Sequence, residues 1–325
     1  MTKIRKSVSF VLILLICVPM LLLLGGCKKP EYYVNGVRAK IYPQRGYASV
    51  CEIILSDTLN PESGICEIPA YVEYNGRVYP VKKVAPYGAI LFSRGDHIIC
   101  DGAVELIVPE TVEEIDFEQY YAIYSRQFDQ LERVTIHRDN SVYASENGVV
   151  YSKDGSELIF YPPGKTDTVF TVPKEMKTIS EQEYNYCNAY IQTVEVEEGN
   201  AYLKAVDNTL CSFDGKRLIY APCNFDNGAT KYLTIPNGVE IITQRCIGFG
   251  NSNVDYLYIP QSVKEIEYTK SDTGYVSHAL RRISYLYFES YTVPAYLTEL
   301  DLERYSVNMH FGVSREDFLE LVNSK

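Results

Sequence analysis

One phrase recurs along this chain and limits what it can fold into: an apolar residue, Pro, two residues, an apolar residue, two more, then Ile. It reads Val108-Pro109 with Val112 and Ile115, Val172-Pro173 with Met176 and Ile179, Ile235-Pro236 with Val239 and Ile242, and Ile259-Pro260 with Val263 and Ile266. Apolar ladders lie before or between these phrases: Leu131-x-x-Val134-x-Ile136, Ile191-x-x-Val194-x-Val196, Val254-x-x-Leu257-x-Ile259, Ile283-x-x-Leu286-x-Phe288 and Leu297-x-x-Leu300-x-Leu302. In Leu257-Tyr258-Ile259 the alternation sends Leu257 and Ile259 inward and Tyr258 outward, as a strand requires. The Pro that follows lacks the N–H a continued ladder needs and turns the chain away. Such a coil cannot bury its apolar face alone, so coils must stack into a quasi-one-dimensional solenoid.

Strand centres such as Val172 and Val194, or Leu233 and Leu257, lie about 22 to 24 residues apart, inside the range of a leucine-rich repeat. The expected fold is therefore mainly β: a leucine-rich-repeat solenoid of stacked parallel short strands over residues 65–313, its first degenerate repeat at 65–100. Two stretches inside the array match at an offset of 60, Val149 to Pro162 and Thr209 to Pro222, each with apolar runs flanking Asp-Gly and each preceded by an Asn, at 140 and 200. Asp-Gly between apolar runs is a hairpin signal. These read as β-hairpin insertions that protrude from the solenoid.

The ends differ from the array. Lys3, Arg5 and Lys6 precede an apolar run from Val8 to Leu24, then Gly25-Gly26 before Cys27. That is the order of a secretory leader, placed at 1–26. The run is also nearly long enough to span a bilayer, which leaves an uncleaved anchor as the other reading. Residues 27–64 read as a linker followed by irregular N-terminal strands, with Tyr47, Val50, Ile53 and Leu55 alternating in part. Ile65 to Val84 reads as strand, turn, strand around Asn75-Gly76. A solenoid needs an atypical terminal unit over its open end, and residues 31–100 fit that role. At 314–325, Ser314-x-x-Asp317 resembles a capping box, and Phe318, Leu321 and Val322 recur at helical spacing. They predict a short C-terminal capping helix over the last coil.

Charge and composition narrow the function. The chain carries a net charge of −11, and removal of 1–26, which holds three basic and no acidic residues, takes it to −14. An acidic surface of this kind disfavours nucleic acid and anionic membranes as partners. Seven cysteines follow Cys27, at 51, 66, 100, 187, 211, 223 and 246, with no Cys-x-x-Cys pair. Neither a zinc site nor a disulfide framework is indicated; most are expected as buried free thiols, with a Cys51–Cys66 bond left open and one between Cys211 and Cys223 less favoured. His97, His137, His278 and His310 are dispersed, so no metal ligand is assigned. The sequence holds no Gly-x-Ser-x-Gly, phosphate loop or Gly-x-Gly-x-x-Gly. No catalytic residue and no cofactor is assigned.

Tyrosine is the one excess, 29 residues against no Trp. Tyr232, Tyr256 and Tyr285 precede the central residue of their ladder strands, and Tyr258 and Tyr287 follow it. All five take outward positions and stack into an aromatic patch if neighbouring coils are in register. Tyr favours strands for its own sake, but it is also enriched at interfaces. The five are the candidate partner-binding residues.

Two resemblances add to this. Leu24-Gly25-Gly26-Cys27 resembles the bacterial lipobox, which implies cleavage before Cys27 and lipidation of its thiol. The Pro-x-x-Val-x-x-Ile phrase, the Asp-Gly islands and Tyr184-x-x-Cys187 before Ile191 resemble the BspA-like class of leucine-rich repeats over roughly residues 65 to 305. The chain departs from that pattern after the repeat Ile, where Asp116, Ser180, Thr243 and Glu267 replace Gly, and it lacks the Ala-Phe pair. The resemblance implies a bacterial surface protein with an adhesion-type binding role and no catalytic set. The expectation is a lipoprotein exported to the bacterial cell envelope, held to a membrane by its lipid alone, whose solenoid binds a protein or a glycan. The alternative is an envelope-scaffold lipoprotein making only lattice or self contacts.

Overall fold

The computed structural model describes residues 31–34, 37–53, 64–84, 104–115, 131–180, 190–222, 231–244, 246–247, 254–270, 276–278, 280, 283–300 and 307–324. The leader, Cys27 and Tyr184-x-x-Cys187 lie outside them. The apolar phrase behaves as its period demands. Val108, Val112 and Ile115, Val172, Met176 and Ile179, Ile235, Val239 and Ile242, and Ile259, Val263 and Ile266 are all buried. In each copy the Pro carbonyl accepts the N–H three residues on, at 3.1 to 3.4 Å, which closes the turn out of the strand.

The strands before the phrases form three parallel ladders: Ile65–Glu67, Glu105–Val108 and Arg133–Ile136; then Val169–Val172 and Thr193–Val196; then Tyr232–Thr234, Tyr256–Ile259, Tyr285–Phe288 and Asn308–Phe311. The Ile that ends each phrase joins a second, narrow parallel row on the other side of the coil, pairing Val84 with Ile115, Leu158 with Ile179, and Leu218 with Ile242 and then Ile266. This is a leucine-rich-repeat solenoid of two coil types. Coils at 105–115, 169–179, 232–242 and 256–266 turn through Pro. Coils starting at 131 and 191 turn instead through Asn140 and Asn200 into three-stranded meanders. Two coils, one of each type, make up the 60-residue offset.

The buried Asn holds the two types together. Asn140 Nδ2 donates to the carbonyls of Pro109 (3.0 Å) and Val112 (2.8 Å), while its Oδ1 accepts from the N–H groups of Val142 and Tyr143 at 2.9 and 2.8 Å. Asn200 repeats this on Pro173 and Met176, both at 2.9 Å, and on Tyr202 and Leu203, both at 2.8 Å. Only a side-chain amide offers two donors and two acceptor lone pairs on so short a stem. It satisfies the Pro turn of one coil and starts the meander of the next.

The meanders are walls inside the solenoid, a correction to the reading of protruding insertions. They comprise Tyr143–Glu146, Val149–Ser152 and Glu157–Phe160, and Leu203–Val206, Thr209–Ser212 and Arg217–Tyr220. Val150 and Phe160 belong to the N-terminal core, whereas Val149, Tyr151 and Leu158 belong to the middle one. In the second meander Leu210 and Tyr220 face the middle core and Cys211 and Leu218 the C-terminal one. Both faces of the inner strands are buried, and solvent is reached at the Glu146-Asn147 and Asp207-Asn208 turns and at the Asp-Gly turns. There Asp154 accepts from the Ser152 hydroxyl and from the N–H and hydroxyl of Ser156, which hold its carboxyl down at about 2. The left-handed turn between the first two strands differs between copies. Gly148 (φ +83°) lies against Arg133, and its carbonyl takes the Val134 N–H; Asn208 (φ +59°) uses its Oδ1 to take the N–H of Val194.

At the N-terminus, Glu31–Val34, Val37–Tyr42 and Tyr47–Ile53 form an antiparallel meander joined in parallel to Arg77–Val84. The hairpin of Tyr71–Tyr74 with Arg77–Val84, turning at Asn75-Gly76, interrupts the first repeat: Ile68-Pro69 begins the phrase, and Val81 and Val84 complete it. Cys66, Cys211 and Cys246 are buried free thiols; the side chain of Cys51 and all of Cys223, the partners weighed for two of them, lie outside the described residues.

Two expectations at the C-terminus need correction. The ladder read at Leu297-x-x-Leu300 is a 3₁₀ turn, Ala295–Glu299, entered after Pro294; a spacing of three puts Leu297 and Leu300 on one side of such a turn, and both are buried. The ladder strand of that coil is Asn308–Phe311. The helix Arg315–Asn323 exists, with Ser314 Oγ accepting from the Asp317 N–H at 3.1 Å. It does not close the end of the solenoid. Met309 and Phe311 pair with the buried Leu286 and Phe288 and take inward positions, yet Met309 is 38% exposed. The helix lies instead across the outer face of the C-terminal ladder.

Candidate functional site

Register decides what the outward face of the C-terminal ladder presents. Tyr232 pairs with Tyr256 and Tyr256 with Tyr285, one row below Thr234, Tyr258, Tyr287 and His310. All five predicted tyrosines therefore share one surface. Tyr256 and Tyr285 stack with centroids 4.9 Å apart and planes 11° from parallel, and Tyr287 stacks on His310 at 4.5 Å and 12°. Behind them, Phe288 stacks on Phe311 in the core at 5.0 Å.

The exposure expected for Tyr258 and Tyr287 is overturned: they are 0% and 4% exposed. Strand alternation points them outward as read, but the C-terminal helix covers them. Phe318 lies among three rings, 5.5 Å from Tyr258, 5.2 Å from Tyr287 and 5.9 Å from Tyr232. Val322, one helical turn on, is buried beside it. Tyr232, Tyr256 and Tyr285 are half-buried around this contact. At the helix start, the Arg315 guanidinium binds Asp207, in the turn of the second meander, at 3.0 Å and reaches the Thr234 hydroxyl at 3.4 Å.

Two polar atoms under the helix have no hydrogen-bond partner, the Tyr258 hydroxyl and Arg315 Nε. Burial, followed by the nearby Glu289 and Glu316 carboxylates, pushes the Tyr258 phenol up to about 12. It is a neutral hydroxyl held away from water.

The N-terminal and middle ladders keep the same face open. Ile65, Glu67, Arg133 and Thr135, then Val169, Thr171, Thr193 and Glu195, point outward and are exposed. Glu105 accepts from the Thr135 hydroxyl at 2.6 Å between adjacent strands. Among the described residues no group of three or more His, Cys, Asp or Glu could hold a metal ion. A depression lined by Glu265, Ile266, Glu267, Tyr268 and Tyr296 has a volume of about 210 Å³, below the roughly 300–1,000 Å³ of sites that enclose a small ligand. Alternation in the sequence found the tyrosines, and the Phe318 to Val322 spacing found the helix but assigned it to the last coil without linking Phe318 to them.

No family profile matches the chain, and no curated protein matches it. Among solved structures it is similar to a leucine-rich cell surface protein from Faecalibacterium prausnitzii, with 14% identity over 91% of this chain and 98% of that one and a TM-score of 0.29. It is also similar to leucine-rich repeat proteins from Eubacterium ventriosum (12% identity, 80% of this chain and 73% of that one, TM-score 0.37) and Bacteroides ovatus (15%, 86% and 67%, TM-score 0.36).

Proposed function

We propose that the chain is an exported lipoprotein of the bacterial cell envelope, anchored through Cys27, whose solenoid binds a protein or glycan partner without catalysis. The observation that carries the binding role is the open outward row on the N-terminal and middle ladders, continued by the half-exposed Tyr256–Tyr285 stack. Parallel strands about 4.8 Å apart hold such side chains at fixed spacing, so a partner meets a pre-ordered surface.

The anchor is tested by Cys27→Ala, which should leave an unprocessed precursor in mass spectrometry and abolish labelling with a radioactive fatty acid; normal maturation and labelling of that variant would sink it. Binding is tested by passing the purified chain over immobilised host matrix proteins and envelope extracts. Tyr256→Ser with Tyr285→Ser should weaken binding at least tenfold, about 1.4 kcal/mol, and an unchanged affinity would remove this stack from the surface.

One observation favours a second reading, a scaffold making self contacts. The last strand, Asn308–Phe311, leaves Met309 exposed at an inward position, and an uncovered edge strand is a template for pairing with another chain. Sedimentation of the purified chain with and without Met309→Lys separates the two readings.

A further inference from the structure

The helix Arg315–Asn323 does not cover the edge strand, since it leaves Met309 exposed and lies on the ladder face instead. At nine residues it is too short to be stable alone, so the tyrosine face holds it in shape. Only Phe318 and Val322 are fully buried in it. Its seat is also imperfect, with the Tyr258 hydroxyl and Arg315 Nε left unpaired beneath it, and an unmet buried polar group of this kind is destabilising. Arg315 stands at the positive end of the helix dipole, where a cation is disfavoured. Its contact with Asp207 accounts for that placement.

We propose that this tyrosine face is a receiving surface for an amphipathic helix of a partner protein, and that the chain's own C-terminal helix is a displaceable occupant of it. This deepens the binding role proposed above and rests on it. The resident helix states what fits: a cation in the first turn to meet Asp207, a Phe three residues later to sit among Tyr232, Tyr258 and Tyr287, and an aliphatic residue four beyond that. A partner helix that also carries an amide or hydroxyl opposite Tyr258 satisfies the phenol that the resident one leaves unpaired. Helix-in-groove recognition through such i, i+4 anchors is a recurring mode, and the resident helix lowers apparent affinity by occupying the competent surface.

The probe is a fluorescein-labelled synthetic peptide of residues 313–325. Full chain carrying Phe318→Ser and Val322→Ser, which frees the face, should bind it at least tenfold more tightly than the unaltered chain, and adding Tyr258→Ser should abolish the gain. Equal binding to both chains, or to neither, overturns the proposal. Hydrogen exchange on the unaltered chain gives a second reading that needs no variant. Amides of the helix should exchange at least tenfold faster than those of Tyr256–Ile259; equal rates mean that the helix leaves only on global unfolding and is a fixed part of the fold. If the peptide fails while Tyr256→Ser with Tyr285→Ser still weakens binding to an immobilised partner, the open ladder face stands and only the helix-receiving role falls.

Discussion

Asn200→Ala is expected to lower stability by about 3 to 5 kcal/mol in denaturant melts, near the top of the range for a single substitution. The change strands the Met176 carbonyl and two N–H groups, on Tyr202 and Leu203, and leaves the Pro173 carbonyl with the Met176 N–H as its donor, at a residue only 6% exposed. Asn140→Ala should behave alike, because its four bonds repeat the pattern on the preceding coil pair. Asn200→Asp separates this explanation from lost volume. A carboxylate keeps the acceptor but has no proton for the two carbonyls, so at neutral pH the loss should approach that of Ala. Facing carbonyls, the introduced carboxyl has a raised folded pKa. Its protonated form can donate one bond, so part of the loss should be recovered as pH falls below that pKa. A loss under about 1 kcal/mol for Asn200→Ala would mean that the coils are not joined through this amide.

Leu257→Ala should cost about 2 to 5 kcal/mol, from lost burial and the cavity left between neighbouring coils. Leu257 is 0% exposed and pairs in register with Leu233 and Leu286, so its neighbours are themselves fixed and the site cannot collapse easily. Tyr258→Ala, one residue on and also 0% exposed, should cost less, about 1 to 3 kcal/mol, because what it loses is the seat of the helix and that loss is capped by the free energy of helix docking. Tyr258→Phe should be neutral or slightly stabilising, since it removes a buried hydroxyl that has no partner. Strand alternation alone assigns Tyr258 the small loss of an exposed side chain, so these values measure what the helix adds.

The repeat architecture was legible because its signal is local and redundant. Pro109, Pro173, Pro236 and Pro260 each end a strand, and the apolar residues around them recur at positions that only a stacked coil can bury. The meanders were legible as turns and not as walls. Val149-Val150-Tyr151 and Thr209-Leu210-Cys211 are runs buried throughout, and a continuous apolar run does not say which face is covered or by what. Leu297 and Leu300 misled for a related reason, since a spacing of three suits both a ladder and a 3₁₀ turn; Pro294 was the available clue. The tyrosine face shows the limit most plainly. Alternation sets the direction of Tyr258 from its neighbours on the strand, but its cover comes from Phe318, sixty residues along the chain. The capping role assigned to the C-terminal helix followed from its position in the sequence; its packing placed it on the ladder face.

The central claim is that the C-terminal helix and the outward tyrosines form one contact, and a double-mutant cycle on Tyr258 and Phe318 tests it most directly. Tyr258→Ala, Phe318→Ala and the double change are compared in guanidinium melts monitored by circular dichroism. The account predicts a coupling of at least about 1 kcal/mol, because either truncation alone already dismantles the contact between rings 5.5 Å apart. Losses that add to within about 0.3 kcal/mol, as for independent sites, would contradict it and place the helix somewhere other than on the tyrosine face.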